Sequence, residues 1–115
     1  MFRILRAVFF LLLLSALVTC SGKSSGQVRS LALSPDGTQL YVANISNASL
    51  DIFTVSDAGV SFIGSTYVGL DPVAVAVRTS GEVWVVNQVS DSVSIVDVTT
   101  QPPHVIRTLL VGDEP

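Results

Sequence analysis

Leu40-Tyr41-Val42-Ala43-Asn44 decides the fold, because Val83-Trp84-Val85-Val86-Asn87 repeats it forty-three positions later. The neighbours recur at the same interval. Ser49-Leu50-Asp51-Ile52-Phe53-Thr54-Val55 is matched by Ser92-Val93-Ser94-Ile95-Val96-Asp97-Val98, and Val68-Gly69-Leu70-Asp71-Pro72 by Val111-Gly112-Asp113-Glu114-Pro115. Self-similarity at such a period marks a repeat architecture, in which each unit buries its apolar face on a neighbouring unit.

The units are made of strands. Val28 to Ser34, Gln39 to Ile45, Leu50 to Ser56 and Ser61 to Gly69 are short, rich in β-branched and aromatic residues, and bounded by turn formers. Val73 to Arg78, Glu82 to Gln88, Val93 to Val98 and His104 to Val111 form the second set, and nothing after Gln27 has helical spacing. Ser34-Pro35-Asp36-Gly37 supplies a turn with Pro preset near φ −65° and a Gly free to take positive φ. Its counterpart Thr79-Ser80-Gly81 lacks Pro and Asp and is one residue shorter. Pro102 and Pro103 have no N–H to give a ladder, which places the link Thr99 to Pro103 outside the sheet.

Val73-Ala74-Val75-Ala76-Val77 and Val83-Trp84-Val85-Val86 are apolar at nearly every position, as strands covered on both faces are. Antiparallel units of this kind must stack on like units. Small alanines in the first strand of each suit the narrow end of a wedge. The expected fold is therefore all-β, with two four-stranded antiparallel blades of a truncated β-propeller after a signal segment. An eight-stranded sandwich is the alternative that strand number alone permits. The expected divisions are a signal peptide over 1–19, a Gly/Ser tether over 20–27, blade 1 over 28–72, blade 2 over 73–112 and the start of a third blade over 113–115.

Ser34-Pro35-Asp36-Gly37, Leu40-Tyr41-Val42-Ala43-Asn44 and the Ser-x-Ser-Ile-Val-Asp strand that ends in Asp97 resemble the YVTN β-propeller repeat of bacteria and archaea. The resemblance runs from about Val28 to Pro115; the second copy departs from it with Trp84 in place of Tyr and without the Pro-Asp-Gly turn. It implies a propeller, whose relatives include lactone hydrolases and domains of haem- or copper-dependent reductases. Propellers close with about four to eight blades, so the reading expects the front part of a longer product, or self-association, to cover the open blade faces.

The first residues read as an address. Arg3 and Arg6 precede the apolar run Ala7 to Val18, the layout of a secretory signal. As a helix that run would cover only about 18 Å of a ~30 Å hydrocarbon core, so a permanent transmembrane anchor is the weaker reading. Leu17-Val18-Thr19-Cys20 resembles a bacterial lipobox, departing from it at Thr19, and Ser21 to Gly26 follows as a flexible tether. Lipidation of Cys20 and anchoring at the cell envelope are the expectation; an ordinary signal cleaved near Ser21 or Gly22 is the alternative.

Beyond Thr19 the chain holds four basic and nine acidic residues, a net charge of −5 with no basic cluster, so nucleic acid is not an expected partner. One cysteine and one histidine supply no disulfide framework and no Cys/His metal cage, and no cofactor is expected. No G-x-S-x-G elbow, His–carboxylate–nucleophile set or phosphate loop is present. Asp71 and Glu114, each ahead of a proline at the start of an innermost strand, are candidate channel-mouth carboxylates for a cation or basic ligand, against the plainer reading of solvated turn acids. Tyr41 and Trp84 are read as filling space between blades, and Asn44 and Asn87 as bonding to a turn. The Asn44-Ile45-Ser46 and Asn47-Ala48-Ser49 triplets also fit the glycosylation pattern.

The functional expectation is an envelope-anchored, non-catalytic propeller for binding or scaffolding, with an unidentified protein or small-molecule ligand. The alternative is the front portion of a periplasmic lactonase-type enzyme with catalytic residues beyond Pro115.

Overall fold

The computed structural model describes residues 29–113, and the signal, the tether with Cys20, and Glu114 lie outside them. Eight strands follow one another: β1 (Leu31–Leu33), β2 (Gln39–Asn44), β3 (Ser49–Ser56), β4 (Gly59–Tyr67), β5 (Pro72–Thr79), β6 (Glu82–Asn87), β7 (Ser92–Asp97) and β8 (His104–Leu110). They form two antiparallel meanders, β1-β2-β3-β4 and β5-β6-β7-β8, with no strand exchanged between them. Tyr41 pairs with Ile52 in the first sheet and Trp84 with Ile95 in the second, so the forty-three-residue period is also a period of register.

The sheets stack with their first strands parallel. Arg29, just ahead of β1, bridges Ala74 of β5, and the Val75 N–H donates to the Arg29 carbonyl at 2.8 Å. That amide points away from β6 and would lack a protein partner in a lone sheet. A sandwich would instead have two apolar inner faces and two polar outer ones. Here alternate residues of β2, β5 and β6 divide between two apolar faces. Tyr41, Ala43, Leu50 and Ile52 on one face of the first sheet join Val75, Val83, Val85, Val96 and Val98 of the second in one buried cluster. The opposite face of the first sheet leaves Leu31, Leu33 and Phe62 more than half exposed. This is the blade-on-blade arrangement of a propeller, with β1 and β5 nearest the axis.

Several boundaries differ from the sequence expectation. β4 starts at Gly59 rather than Ser61, because Gly59 takes φ +121° and carries the hairpin turn without a break in pairing. β1 is reduced to Leu31–Leu33, and an extra residue opposite Ile52 and Phe53, Ile63, matched by Ile106 opposite Ile95 and Val96, puts a bulge in each fourth strand. The hairpins β2–β3 and β6–β7 both close through a left-handed residue at the same repeat position, Ala48 (φ 51°) and Asp91 (φ 46°).

Candidate functional site

Three places gather polar groups. The first is the end of the innermost strands. Asp71 adopts φ 57° immediately before the buried Pro72, and its carbonyl accepts from the Gln88 N–H at 2.9 Å, which fixes the link against the β6–β7 turn. The Arg29–Ala74 bridge brings exposed Arg29 to the same end of β5. Reasoning from sequence had named Asp71 and Glu114 here and missed Arg29, which only parallel stacking of β1 on β5 places at that mouth. Glu114 lies outside the described residues, so the expected pairing of carboxylates rests on Asp71 alone. Among the described residues no three His, Cys, Asp or Glu groups come together as a metal site.

The second place is a pair of equivalent polar clusters at the β2–β3 and β6–β7 hairpins. Asn44 Nδ2 donates to Asp51 Oδ2 at 2.9 Å and Ser49 Oγ to Asp51 Oδ1 at 2.8 Å. Asn87 Nδ2 donates to Ser92 Oγ (3.2 Å) and Ser94 Oγ (3.0 Å), in a spot fully shut from solvent. The Asn44 Oδ1 atom also accepts from the Asn47 N–H at 3.3 Å, the turn bond expected for it. For Asn87 the bonds run along the next strand instead, and its Oδ1 is buried without a partner. Gly69 of the preceding link lies on this cluster, and Leu70 N–H donates to Ser90 Oγ at 2.9 Å. Beside it opens a shallow groove of about 420 Å³ between the outer strands, with Ser92, Ser94 and Thr108 on one side and Tyr67 and Leu110 at its rim.

The third place is the open face of the second sheet. A concavity of about 490 Å³ there is lined by Trp84, Ile95, Ile106 and Leu109 between Arg78 and Arg107. Trp84 Nε1 donates to Glu82 Oε1 at 2.7 Å, as Tyr41 Oη donates to Gln39 Oε1 at 2.8 Å one repeat earlier. The Trp84 bond, and then Arg78 at 2.9 Å, hold the Glu82 carboxyl below the usual range, whereas burial pushes the Tyr41 phenol up. Tyr41 is enclosed between the sheets, as expected of a filler; Trp84 is only half-buried.

The turn groups behave as structure. Asp36 accepts from Ser34 Oγ (2.6 Å), Thr38 N–H (3.0 Å) and Thr38 Oγ1 (2.8 Å), which lowers its pKa to about 2. Asp97 is lowered by the Thr99 hydroxyl and backbone, with His104 adding a smaller share. His104 itself shares a hydrogen bond with Thr100 Oγ1 at 3.2 Å.

Stacked meanders of this register, with first strands parallel at an axis, define blades of a β-propeller. The family model described as Lactonase, 7-bladed beta-propeller matches residues 14–107, and the chain belongs to that family. Among solved structures it is similar to hydrazine synthase of Kuenenia stuttgartiensis, at 29% identity and a TM-score of 0.66 over 83% of this chain and 27% of that one. It is also similar to the periplasmic gluconolactonase PpgL of Pseudomonas aeruginosa, at 28% identity and a TM-score of 0.67 over 75% of this chain and 26% of that one. A Bacteroides fragilis protein provisionally assigned as a 6-phosphogluconolactonase shares the fold at 23% identity and a TM-score of 0.66, over 76% of this chain and 26% of that one. The chain thus spans about a quarter of the length of these structures. No curated protein matches the sequence. The expected non-catalytic binding or scaffolding role is corrected by these findings: family and neighbours favour the lactonase-type alternative. The lack of a catalytic set in two blades does not weigh against an enzyme, since a propeller has about four to eight blades around its channel.

Proposed function

We propose that this chain supplies two blades of an exported propeller lactonase, a hydrolase that opens the ring ester of a sugar lactone. The observation that carries the reading is the match to the seven-bladed lactonase family over residues 14–107. The similarity to a protein described as a periplasmic gluconolactonase supports both the substrate class and the compartment. The leader over 1–19 agrees with export. Within the family, the Pro-Asp-Gly turn and the Leu40–Asn44 strand of the first blade support the YVTN type. In this reading Cys20 carries the lipid that holds the protein at the membrane, through more than one acyl chain at about 0.8 kcal/mol per buried methylene.

Ester hydrolysis needs a group to activate water and another to stabilise the carbonyl oxygen as it becomes negative. Arg29 and Asp71, at one end of the strands nearest the axis, are the charged groups of this chain suited to such work. The arginine would offer N–H donors to the developing oxyanion and the carboxylate would accept a proton from water. Ring opening of glucono-δ-lactone by the protein, followed in a pH-stat by the acid released, tests the reading. Loss of that activity in Asp71→Asn and Arg29→Ala, with unchanged circular dichroism, is expected. A protein that leaves the lactone at its spontaneous rate overturns it.

A further inference from the structure

The two hairpin clusters hold equivalent asparagines, but the second lacks the acid of the first. In the first blade the Asp51 carboxylate accepts from Asn44 Nδ2 at 2.9 Å and from Ser49 Oγ at 2.8 Å. One repeat later Ser92 stands for Ser49 and Ser94 for Asp51. Ser92 and Ser94 are only 3% and 2% exposed, and the groove of about 420 Å³ opens against both. One wall is the link after β4, at Val68 and Gly69; the other is the facing side of β7 and β8. The groove is therefore made by the contact between the two sheets and not by an outward face.

Its hydroxyls have more hydrogens than acceptors. Ser94 Oγ accepts from Asn87 Nδ2 at 3.0 Å, and its own hydrogen meets no acceptor among the described residues. Ser90 Oγ accepts from the Leu70 N–H, Ser92 Oγ accepts from Asn87 Nδ2, and the two hydroxyls share one bond at 3.0 Å. Each hydroxyl owns one hydrogen, so one of that pair is also left over, whichever way the shared bond runs. Exposed Thr108 adds another hydroxyl at the edge. These donors ask for acceptors from outside the protein. No residue lining the groove is charged, and the Asn87 amide that faces the serines carries a buried oxygen without a partner. An anion would find no cation there and would meet the acid excess of the whole chain. Neutral hydroxyl groups, which both accept and donate, fit these donors. Val68, Val105 and Leu110 offer the apolar surface that the C–H groups of a sugar ring cover.

We propose that this groove binds a neutral sugar. Its ring hydroxyls accept from Ser94, from the Ser90–Ser92 pair and from Thr108, and its C–H face lies on Leu110. Small-molecule pockets run from about 300 to 1,000 Å³, so the groove takes a ligand at the small end of that range. It follows β7 and β8, the outer strands of the second sheet, whereas Arg29 and Asp71 stand by β1 and β5. Such a site attaches the protein to a glycan and takes no part in ring opening, so it stands apart from the lactonase reading.

Titration of the full chain with methyl α-glucoside, maltose and cellobiose, followed by amide proton–nitrogen NMR spectra, tests the proposal. At least one of the three should give shifts at Ser92, Ser94 and Thr108, and none at Val75, that saturate in the millimolar range. Thr108→Val, an exposed change, should weaken that binding about three- to tenfold without moving the unfolding midpoint. Ser94→Asp puts the acid of the first blade into the second; the carboxylate should take the Asn87 and Ser92 donors, fill the groove and abolish binding, with circular dichroism unchanged. No saturable shift with any of the three sugars, the result if solvent alone fills the groove, overturns the proposal. So does binding that Ser94→Asp and Thr108→Val both leave intact, or glucuronate binding more tightly than the methyl glucoside.

Discussion

Replacing Gly69 by alanine should destabilise this fold far more than the same change at the other link glycine. A Cβ at Gly69 would stand 2.6 Å from both Cγ and Nδ2 of Asn87 and would collide with Ser90 Oγ. Asn87 is fully buried, tied to Ser92 and Ser94, and has nowhere to retreat. Overpacking costs about 1–3 kcal/mol. Displacing Ser90 also breaks its bond from Leu70 N–H, worth about 0.5–1.5 kcal/mol. The sum, about 1.5–4.5 kcal/mol, is a large share of the ~5–15 kcal/mol that holds a domain together. For a domain of this size each kcal/mol moves Tm by about 4–8 °C, so a drop of at least about 6 °C is expected. Two other glycines separate collision from backbone strain. Gly37 has φ +73° with nothing within 4 Å, so Gly37→Ala should cost about 1 kcal/mol from strain alone. Gly112 is open and not in the left-handed region, so Gly112→Ala should leave the unfolding midpoint unchanged. Urea denaturation followed by circular dichroism ranks the three. A Gly69→Ala midpoint equal to that of Gly112→Ala would refute the close approach of the β4–β5 link to the second blade.

Tyr41→Ala should cost about 3–5 kcal/mol and Tyr41→Phe about 0.5–1.5 kcal/mol, since the ring is enclosed between the sheets and its hydroxyl has one partner, Gln39; denaturant midpoints measure both. Ala48→Gly should raise stability by about 0.5–1 kcal/mol, because removing the strain of φ 51° outweighs the added freedom of the unfolded chain. Asp36, with its folded pKa lowered to about 2, stabilises the fold above its unfolded pKa of 3.8; that contribution is lost as pH falls toward 2. Asp36→Asn should flatten the pH dependence of the urea midpoint across that window.

The stacking of like sheets was legible because a repeat states its own period, and a strand apolar at every position has no water-facing side. Tyr41 opposite Ile52 and Trp84 opposite Ile95 follow from that period together with the even lengths of the hairpins. The polar clusters were harder to see. Asn44 and Asp51 are seven residues apart and meet only because Asn44 faces Ser49 across the hairpin, which puts Asp51 one diagonal step along the same face. Asn87 looks identical in sequence, yet nothing in its hairpin matches the bond that the Asn47 N–H gives to Asn44 Oδ1, and its amide oxygen is left without a partner. Arg29 at the mouth was invisible for another reason: it reaches β5 by a bond between sheets, and a list of strands does not contain the angle at which they stack. Function was read from which catalytic groups two blades contain, and a ring that shares its site among many blades defeats that kind of reading.

Amide hydrogen exchange at Val75 tests the stacked-blade arrangement most directly. In an isolated meander its N–H points outward from the edge strand and exchanges freely. Here it donates to the Arg29 carbonyl of the other sheet, at 2.8 Å, and is predicted to be protected to the same degree as the amides of β6. Exchange of Val75 at the rate of an unbonded edge amide, with β6 still protected, would contradict the parallel packing of β1 on β5.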